Sequence, residues 1–302
     1  MHPDLALGRS ASGTVGIVEI SWRNEADESV RALLIVARQT DGTPEVQAEG
    51  PLPREFRGGR HLLATDGDVL LGYAHVDTTG DAFGNQIVEL IVHPRHRGKG
   101  VGTALVDEVL TVDSPLRLWS HRDHPAAARI AGRRQLTRAR ELLLMGLDND
   151  VDLPEPRWRD GTTVRTFVPG QDEAAMVAVN KRAFDWHPEQ GLLTEEDVRA
   201  TEQEPWFDPD GFFLAEEDGR VVGFHWTKVH GDGTGEVYVV GVDPDAQGGG
   251  LGSALTLVGL HHLRARGVRE TILYVESDNR AAVAVYSRLG FTLRHTNVAY
   301  QR

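Results

Sequence analysis

Residues 239–255 read Val-Val-Gly-Val-Asp-Pro-Asp-Ala-Gln-Gly-Gly-Gly-Leu-Gly-Ser-Ala-Leu. A β-branched run stops at Asp243-Pro244, a glycine turn follows, and an apolar helical pattern begins. A strand therefore delivers the chain to a loop that gathers backbone N–H groups at a helix N-terminus. Unpaired donors and the positive end of the helix dipole suit an anionic phosphate there. Gly248, Gly249, Gly250 and Gly252 allow close backbone approach and positive φ. A plain helix-capping loop would look much the same, so the decision passes to the rest of the chain.

The same pattern stands 150 residues earlier. His93-Pro94 matches Asp243-Pro244, and Arg97-x-x-Gly100-x-Gly102 matches Gln247-x-x-Gly250-x-Gly252. A repeat of that length is a duplicated domain. Each half interleaves strands and helices. The expected fold class is α/β (α+β layered), with two tandem domains, each a mixed twisted sheet flanked by helices. The expected boundaries are 1–147, an acidic, proline-bearing linker at 148–160, and 161–302. In the first half, residues 21–40 read as a helix capped by Asn24, and Gln86–Val92 as the strand before the loop. In the second, Thr194 and Asp197 form a capping-box start, and Gly235–Val242 is the strand before the loop.

Composition narrows the function. The chain has 302 residues, a net charge of −13 and no cysteine. The acidic balance argues against bulk nucleic-acid or anionic-membrane binding. No apolar run is long enough to span a membrane, and Met1-His-Pro-Asp-Leu5 lacks a secretory pattern. A cytoplasmic monomer is expected. Disulfides, thiolate metal sites and a cysteine nucleophile are excluded. The histidines, including His75, His93, His225, His261 and His262, form no ligand spacing, so no metal is expected.

The glycine loops resemble the pyrophosphate loop of the GCN5-related N-acetyltransferases. Further along, Asn279-x-x-Ala282-x-x-x-Tyr286-x-x-Leu289-Gly290-Phe291 is similar to that family's segment after the fifth strand. The resemblance implies acetyl-CoA as co-substrate. Its contacts fall on Val240, Gly241, Val242, Gln247, Gly248, Gly249, Gly250, Leu251, Gly252, Ser253, Asn279 and Ala282. In the first half they fall on Leu90, Ile91, Val92, Arg97, Gly98, Lys99, Gly100, Val101 and Gly102. It also implies that Tyr286 protonates the leaving thiolate. In the first half Ala131 stands in that place, with His124 for Asn279 and Leu136 for Phe291. Glu236 lies eight residues before Pro244 and is the candidate general base. Eight before Pro94 is Gln86. Glu89 lies three positions along and is expected to point to the other face. A backbone N–H from Val240–Val242 can serve the oxyanion. Transfer is expected to be direct, because no cysteine can hold the acetyl group. The expected arrangement is one catalytic domain and one degenerate domain.

Five further stretches carry a closer resemblance: His187-Pro-Glu-Gln-Gly191, Trp206-Phe-Asp-Pro-Asp-Gly211, Gly223-Phe-His-Trp-Thr-Lys228, Gly235-Glu-Val-Tyr238 and Leu273-Tyr-Val-Glu-Ser-Asp-Asn279. Together they resemble the mycothiol synthases, tandem acetyltransferases of the same superfamily. That resemblance implies a sugar–inositol amine as substrate, acetylated on its cysteinyl nitrogen. It implies substrate contacts at Glu189, Lys228, Glu236 and Tyr274, and one glutamate from the first domain. Glu49 is the preferred placement for it and Glu45 competes. Two alternatives stay open: an acetyltransferase for another amine, such as an aminoglycoside or a protein N-terminus, and a non-catalytic acyl-CoA sensor.

Overall fold

A computed structural model describes residues 18–302 except Ala82, Pro188 and Glu189. By contact density it divides into two compact units. One comprises Met1–Ala139 with Val298–Arg302, the other Arg140–Asn297.

In the first unit the elements are β1 (Glu19–Arg23), α1 (Glu28–Asp41), β2 (Arg60–Asp66), β3 (Val69–Asp77), β4 (Gln86–Val92), α2 (Val101–Val109), β5 (Leu116–Ser120) and α3 (Pro125–Arg133). Strands β1 to β4 pair antiparallel in chain order, and β4 pairs parallel with β5. Alternation along β2 sends Leu62 and Ala64 into the α2 side of the core and Leu63 into the α1 side. The helix expected over 21–40 is shorter. Ile20 and Trp22 alternate onto the α2-side core as part of β1, and Asp27, not Asn24, caps α1 through the Ser29 N–H.

The remaining elements, which belong to the second unit apart from Thr137–Ala139 and Val298–Gln301, are β6 (Thr137–Asp148), β7 (Thr163–Thr166), α4 (Glu173–Ala183), α5 (Glu195–Thr201), β8 (Phe212–Glu217), β9 (Arg220–Val229), β10 (Gly235–Val242), α6 (Leu251–Ala265), β11 (Glu270–Glu276), α7 (Arg280–Arg288) and β12 (Thr292–Gln301). The sheet of the second unit runs β6-β11-β10-β9-β8-β7. The capping box of Thr194 and Asp197 is present at the start of α5.

The compact units do not break where the sequence places its boundary. Residues Leu142–Asp148 of β6 pair with β11 of the second unit. The open edge of β5 in the first unit is instead filled by Val298–Gln301 of β12. The β5 edge thus satisfies its backbone groups with a strand from the far end of the chain, and the β11 edge with one from the junction of the two halves. Nor is 148–160 a free linker. Leu153 and Trp158 pack into cores of the second unit.

Candidate active site

The glycine loop forms as its sequence requires. Gly248, Gly249 and Gly250 have φ of +86°, +57° and +86°. A Cβ at Gly248 or Gly250 would meet no atom within 4 Å. Backbone conformation, not crowding, demands glycine at those two positions. Gly250 is the N-cap of α6 and carries no side chain to cap it. The first N–H groups of α6 are therefore left for a ligand. At Gly241 the reason is crowding, because a Cβ there would lie 2.5 Å from Phe224.

Strand β10 parts from β11 at once. The two pair only through Gly235↔Thr271 and Glu236↔Ile272. Beyond Glu236 the strands splay, and one residue later β10 bulges. Val237 faces Thr227 and Val239 faces Trp226, which leaves Tyr238 as the extra residue. The splay opens a cleft of ≈ 690 Å³. It is lined by Val240, Gly241 and Val242 of β10, by Gln247, Gly248, Gly250, Leu251, Gly252 and Ser253 of the loop and α6, and by Asn279, Ala282 and Tyr286 of α7. Gly249 instead turns toward Arg159.

Tyr286 presents its ring to this cleft and packs edge-on against Phe291, with centroids 5.8 Å apart. Burial of its phenol pushes the pKa up to about 12. Glu236 sits at the closed end of the splay, 7% exposed. Its Oε2 accepts a hydrogen bond from His230 Nε2 at 2.7 Å. Lys228 stands directly opposite it on β9, so their side chains share a face of the sheet. The Lys228 Nζ lies 4.8 Å from the Trp206 ring centre and 5.6 Å from that of Tyr238. Tyr274, 46% exposed, is two residues past Ile272 on β11 and therefore on the same face. So is Glu276, which is ion-paired with Arg140 and 3.9 Å from His187 Nε2.

The first unit builds the same frame with other groups. Gly98 and Gly100 have φ of +75° and +91°, and Gly100 caps α2. Arg97 Nε donates to Val92 O at 3.1 Å, as Gln247 Nε2 does to Val242 O at 3.3 Å. The Arg97 guanidinium is held by both oxygens of Asp41, at 2.9 and 2.5 Å. In the second unit the clip between helix end and loop has reversed polarity. Arg182 of α4 reaches Asp243 at 3.0 Å and Asp245 at 2.7 Å. His124 and Asn279 each cap their helix, and Ala131 and Tyr286 each stand seven residues on. Leu90, Ile91 and Val92 lie half-buried on β4.

One expectation needs correction. Strand β4 carries no bulge, and Ile87, not Gln86, occupies the place of Glu236. Ile87 pairs with Asp77 and Arg117, as Glu236 pairs with Lys228 and Ile272. Glu89 pairs with His75, as Val239 pairs with Trp226. Because Tyr238 removes one step of alternation, Glu89 lies on the same face as Glu236, not the opposite one. It is buried and bonded to His121 Nε2 at 2.9 Å, and its charge raises the His121 pKa.

Comparison with known proteins places these features. The acetyltransferase (GNAT) family matches residues 180–291, and an acetyltransferase (GNAT) domain matches residues 57–130. A mycothiol acetyltransferase from Saccharomonospora viridis is 59% identical, covering 92% of this chain and 97% of that protein. The chain belongs to the mycothiol acetyltransferase family. A second member, from Amycolatopsis mediterranei, is 58% identical, covering 93% of this chain and 98% of its own. Among solved structures, a GCN5-related N-acetyltransferase from Sphaerobacter thermophilus aligns with a TM-score of 0.71 at 26% identity, over 94% of this chain and 95% of its own.

Against the set of residues expected for a mycothiol acetyltransferase, the outcome is mixed. Lys228, Glu236 and Tyr274 share one face of the second sheet, and the acetyl-CoA positions of the second half, Gly249 apart, line one cleft. Glu49 lies exposed on a loop of the first unit, and so does Glu45. Glu189 lies outside the described residues. His187, at the head of its segment, accepts from the Gln190 N–H at 3.0 Å, and Gln190 and the buried Asn180 exchange hydrogen bonds of 2.7 and 2.8 Å. Sequence reasoning missed His230, Phe184, Trp186 and Arg288. The last three line the cleft. The turn His230-Gly-Asp-Gly-Thr234 was the available signal for His230, because a tight hairpin folds it back over Glu236.

Proposed function

We propose that this chain moves the acetyl group of acetyl-CoA onto the cysteinyl amine of cysteinyl-glucosaminyl-inositol (desacetylmycothiol), in its second unit. One observation carries the choice of unit. A carboxylate and a phenol flank the splay at Glu236 and Tyr286, while the first unit has Ile87 and Ala131 in those places. Membership of the mycothiol acetyltransferase family supports the substrate.

The residues present fit acetyl-CoA. The glycine loop and the first turn of α6 would hold its pyrophosphate through backbone N–H groups. The edge of β10 beyond Glu236 has no strand partner on the β11 side among the described residues, so its backbone would hold the pantetheine arm. Asn279, Ala282 and Arg288 close the other wall. When bound, the co-substrate supplies its acetyl group as an activated thioester. Glu236 takes the proton of the incoming amine. An α-amino group has a reference pKa of about 7.7–8.0, so near neutral pH part of it is already the free amine, and the proton Glu236 takes is the one the nitrogen sheds as it bonds to the acetyl carbon. A backbone N–H of Val240–Val242 polarises the acetyl carbonyl. Tyr286 keeps its proton throughout the neutral range, and at a pKa of about 12 it is a weak acid toward sulfur. It therefore serves as a hydrogen-bond donor to the leaving sulfur. Lys228 and Tyr274 would take substrate hydroxyls on the shared face, with Glu189 and Glu49 as further contacts.

We place the enzyme in the cytoplasm as a monomer acting without a metal. Among the described residues no helix is long and apolar enough to cross a membrane. The test is CoA release from acetyl-CoA with a panel of amines. Turnover with cysteinyl-glucosaminyl-inositol in clear preference to aminoglycosides and peptides is expected. Turnover with those others alone would contradict the substrate, and CoA binding without any turnover would favour a sensor.

A further inference from the structure

Glu236 is buried and has one partner of fixed geometry. Strand β9 ends at Val229, and the chain turns through 230–234. The His230 N–H donates to Thr234 O at 2.8 Å, and the Gly233 N–H returns to His230 O at 2.9 Å. Gly233, at φ +85°, permits the reversal. The turn carries the imidazole back over the start of β10, where Nε2 meets Glu236 Oε2 at 2.7 Å. Both side chains are largely withdrawn from water, His230 at 16% exposed and Glu236 at 9%.

We propose that His230 is a positioning residue for the reaction, fixing the Glu236 carboxylate for proton transfer. This rests on Glu236 being the base. The Nε2–H donates to Oε2, which leaves Oε1 to receive the amine proton. A buried carboxylate that lost this donor would keep its desolvation cost and lose a charge-assisted bond. Its rotamer would also be free to leave the substrate face. The charged surroundings are Lys228 opposite Glu236 on β9, and Asp232 with Arg269 beside the turn. On the β11 side the neighbour is the apolar Ile272. The Asp232 carboxylate has no proton to donate, and the Lys228 ammonium lies over the Trp206 and Tyr238 rings, 4.8 and 5.6 Å from their centres.

The test compares two substitutions of similar size. In His230→Gln the amide nitrogen reaches the place of Nε2 and keeps the donor. In His230→Asn it falls short. Rates with the cysteinyl amine are measured from pH 5 to 9, with Glu236→Gln as reference. We expect His230→Asn to lower kcat about tenfold or more, with the KM for acetyl-CoA unchanged. Its acid limb should move to higher pH, because a buried carboxylate that loses a donor is harder to ionise. His230→Gln should keep most of the wild-type rate and the wild-type limb. If both variants behave like wild type while Glu236→Gln is inactive, the role of His230 is overturned and the base stands. Equal losses in both variants with no movement of the limb would reduce His230 to a structural residue and also overturn it. An active Glu236→Gln would overturn the base itself.

Discussion

At the scale of single residues, the two units differ most where a proton is handled. Tyr286 and Ala131 stand seven residues after equivalent helix caps, so the difference is one of chemistry and not of placement. Tyr286→Phe removes only the hydroxyl. Turnover should fall by roughly 10²-fold, the lower end of the range for loss of one donor to developing charge, while acetyl-CoA affinity stays within about twofold. Unchanged turnover would remove Tyr286 from the reaction. Because burial holds the phenol up to about 12, the rate should show no alkaline limb from Tyr286 at pH 9 or 10. This residue was legible in the sequence because helical spacing after a cap is fixed. His230 was not, because its link to Glu236 depends on a hairpin turn that composition only hints at.

Among the elements, the β10 bulge carries the most consequence. It puts Glu236 and Val239 on one face although they are three residues apart. Counting along the sequence cannot detect it, and so an equal offset paired Glu236 with Gln86 where the sheet pairs it with Ile87. The rows crossing the two sheets at this level also differ. In the second unit Phe212 stacks on Phe167 at 4.3 Å and on Trp226 at 4.5 Å, a dry aromatic row leading to Val239. In the first unit the register places Arg23, His61, His75 and Glu89 side by side. Alternation alone predicts which residues face inward, but not which neighbours they meet. The glycine loops were legible at Gly248, Gly249, Gly250, Gly98 and Gly100, since positive φ has few other solutions, whereas Gly252 and Gly102 lie inside their helices without it. Gly250→Ala puts an L-residue at φ +86° with open space around its Cβ. The strain of about 1–2 kcal/mol is relieved where the free loop leaves that conformation and returns when the loop closes on a ligand, so acetyl-CoA binding should weaken roughly tenfold. Unchanged affinity by calorimetry would show that the loop does not hold the pyrophosphate. The loop at Gly98–Gly102 repeats the positive φ at Gly98 and Gly100, though not at Lys99, where the second loop has Gly249 at +57°, and titration of the whole chain should find two acetyl-CoA sites. A single site would mean that the Arg97–Asp41 clip has closed the first loop.

For the whole molecule, acid stability follows from histidines that the fold buries uncharged. His225 is fully buried under α6, donates Nδ1–H to Leu255 O at 2.7 Å, and is pushed down to about 4 by burial. His61 is pushed down for the same reason. The unfolded chain takes up these protons near pH 6.5 and the folded chain does not. Their contribution is thus complete above about pH 6.5 and falls away as pH drops toward 4. For His225 the loss at pH 5 is on the order of 2 kcal/mol. His121 acts in the opposite sense, because Glu89 raises it, but its ring is half-exposed and screened. Urea midpoints should therefore be lower at pH 5 than at pH 7, and equal midpoints would contradict this account. The tandem architecture was legible because the motif repeats at a constant offset. The boundary was not, because a terminal strand can fill either sheet edge with the same hydrogen bonds. The central claim is that one unit performs the chemistry. It is tested most directly by the rate of CoA release with cysteinyl-glucosaminyl-inositol in Glu236→Gln and Glu89→Gln. The expected result is a loss of about 10²-fold or more in Glu236→Gln and a near wild-type rate in Glu89→Gln. A wild-type rate in Glu236→Gln with a loss in Glu89→Gln would contradict it.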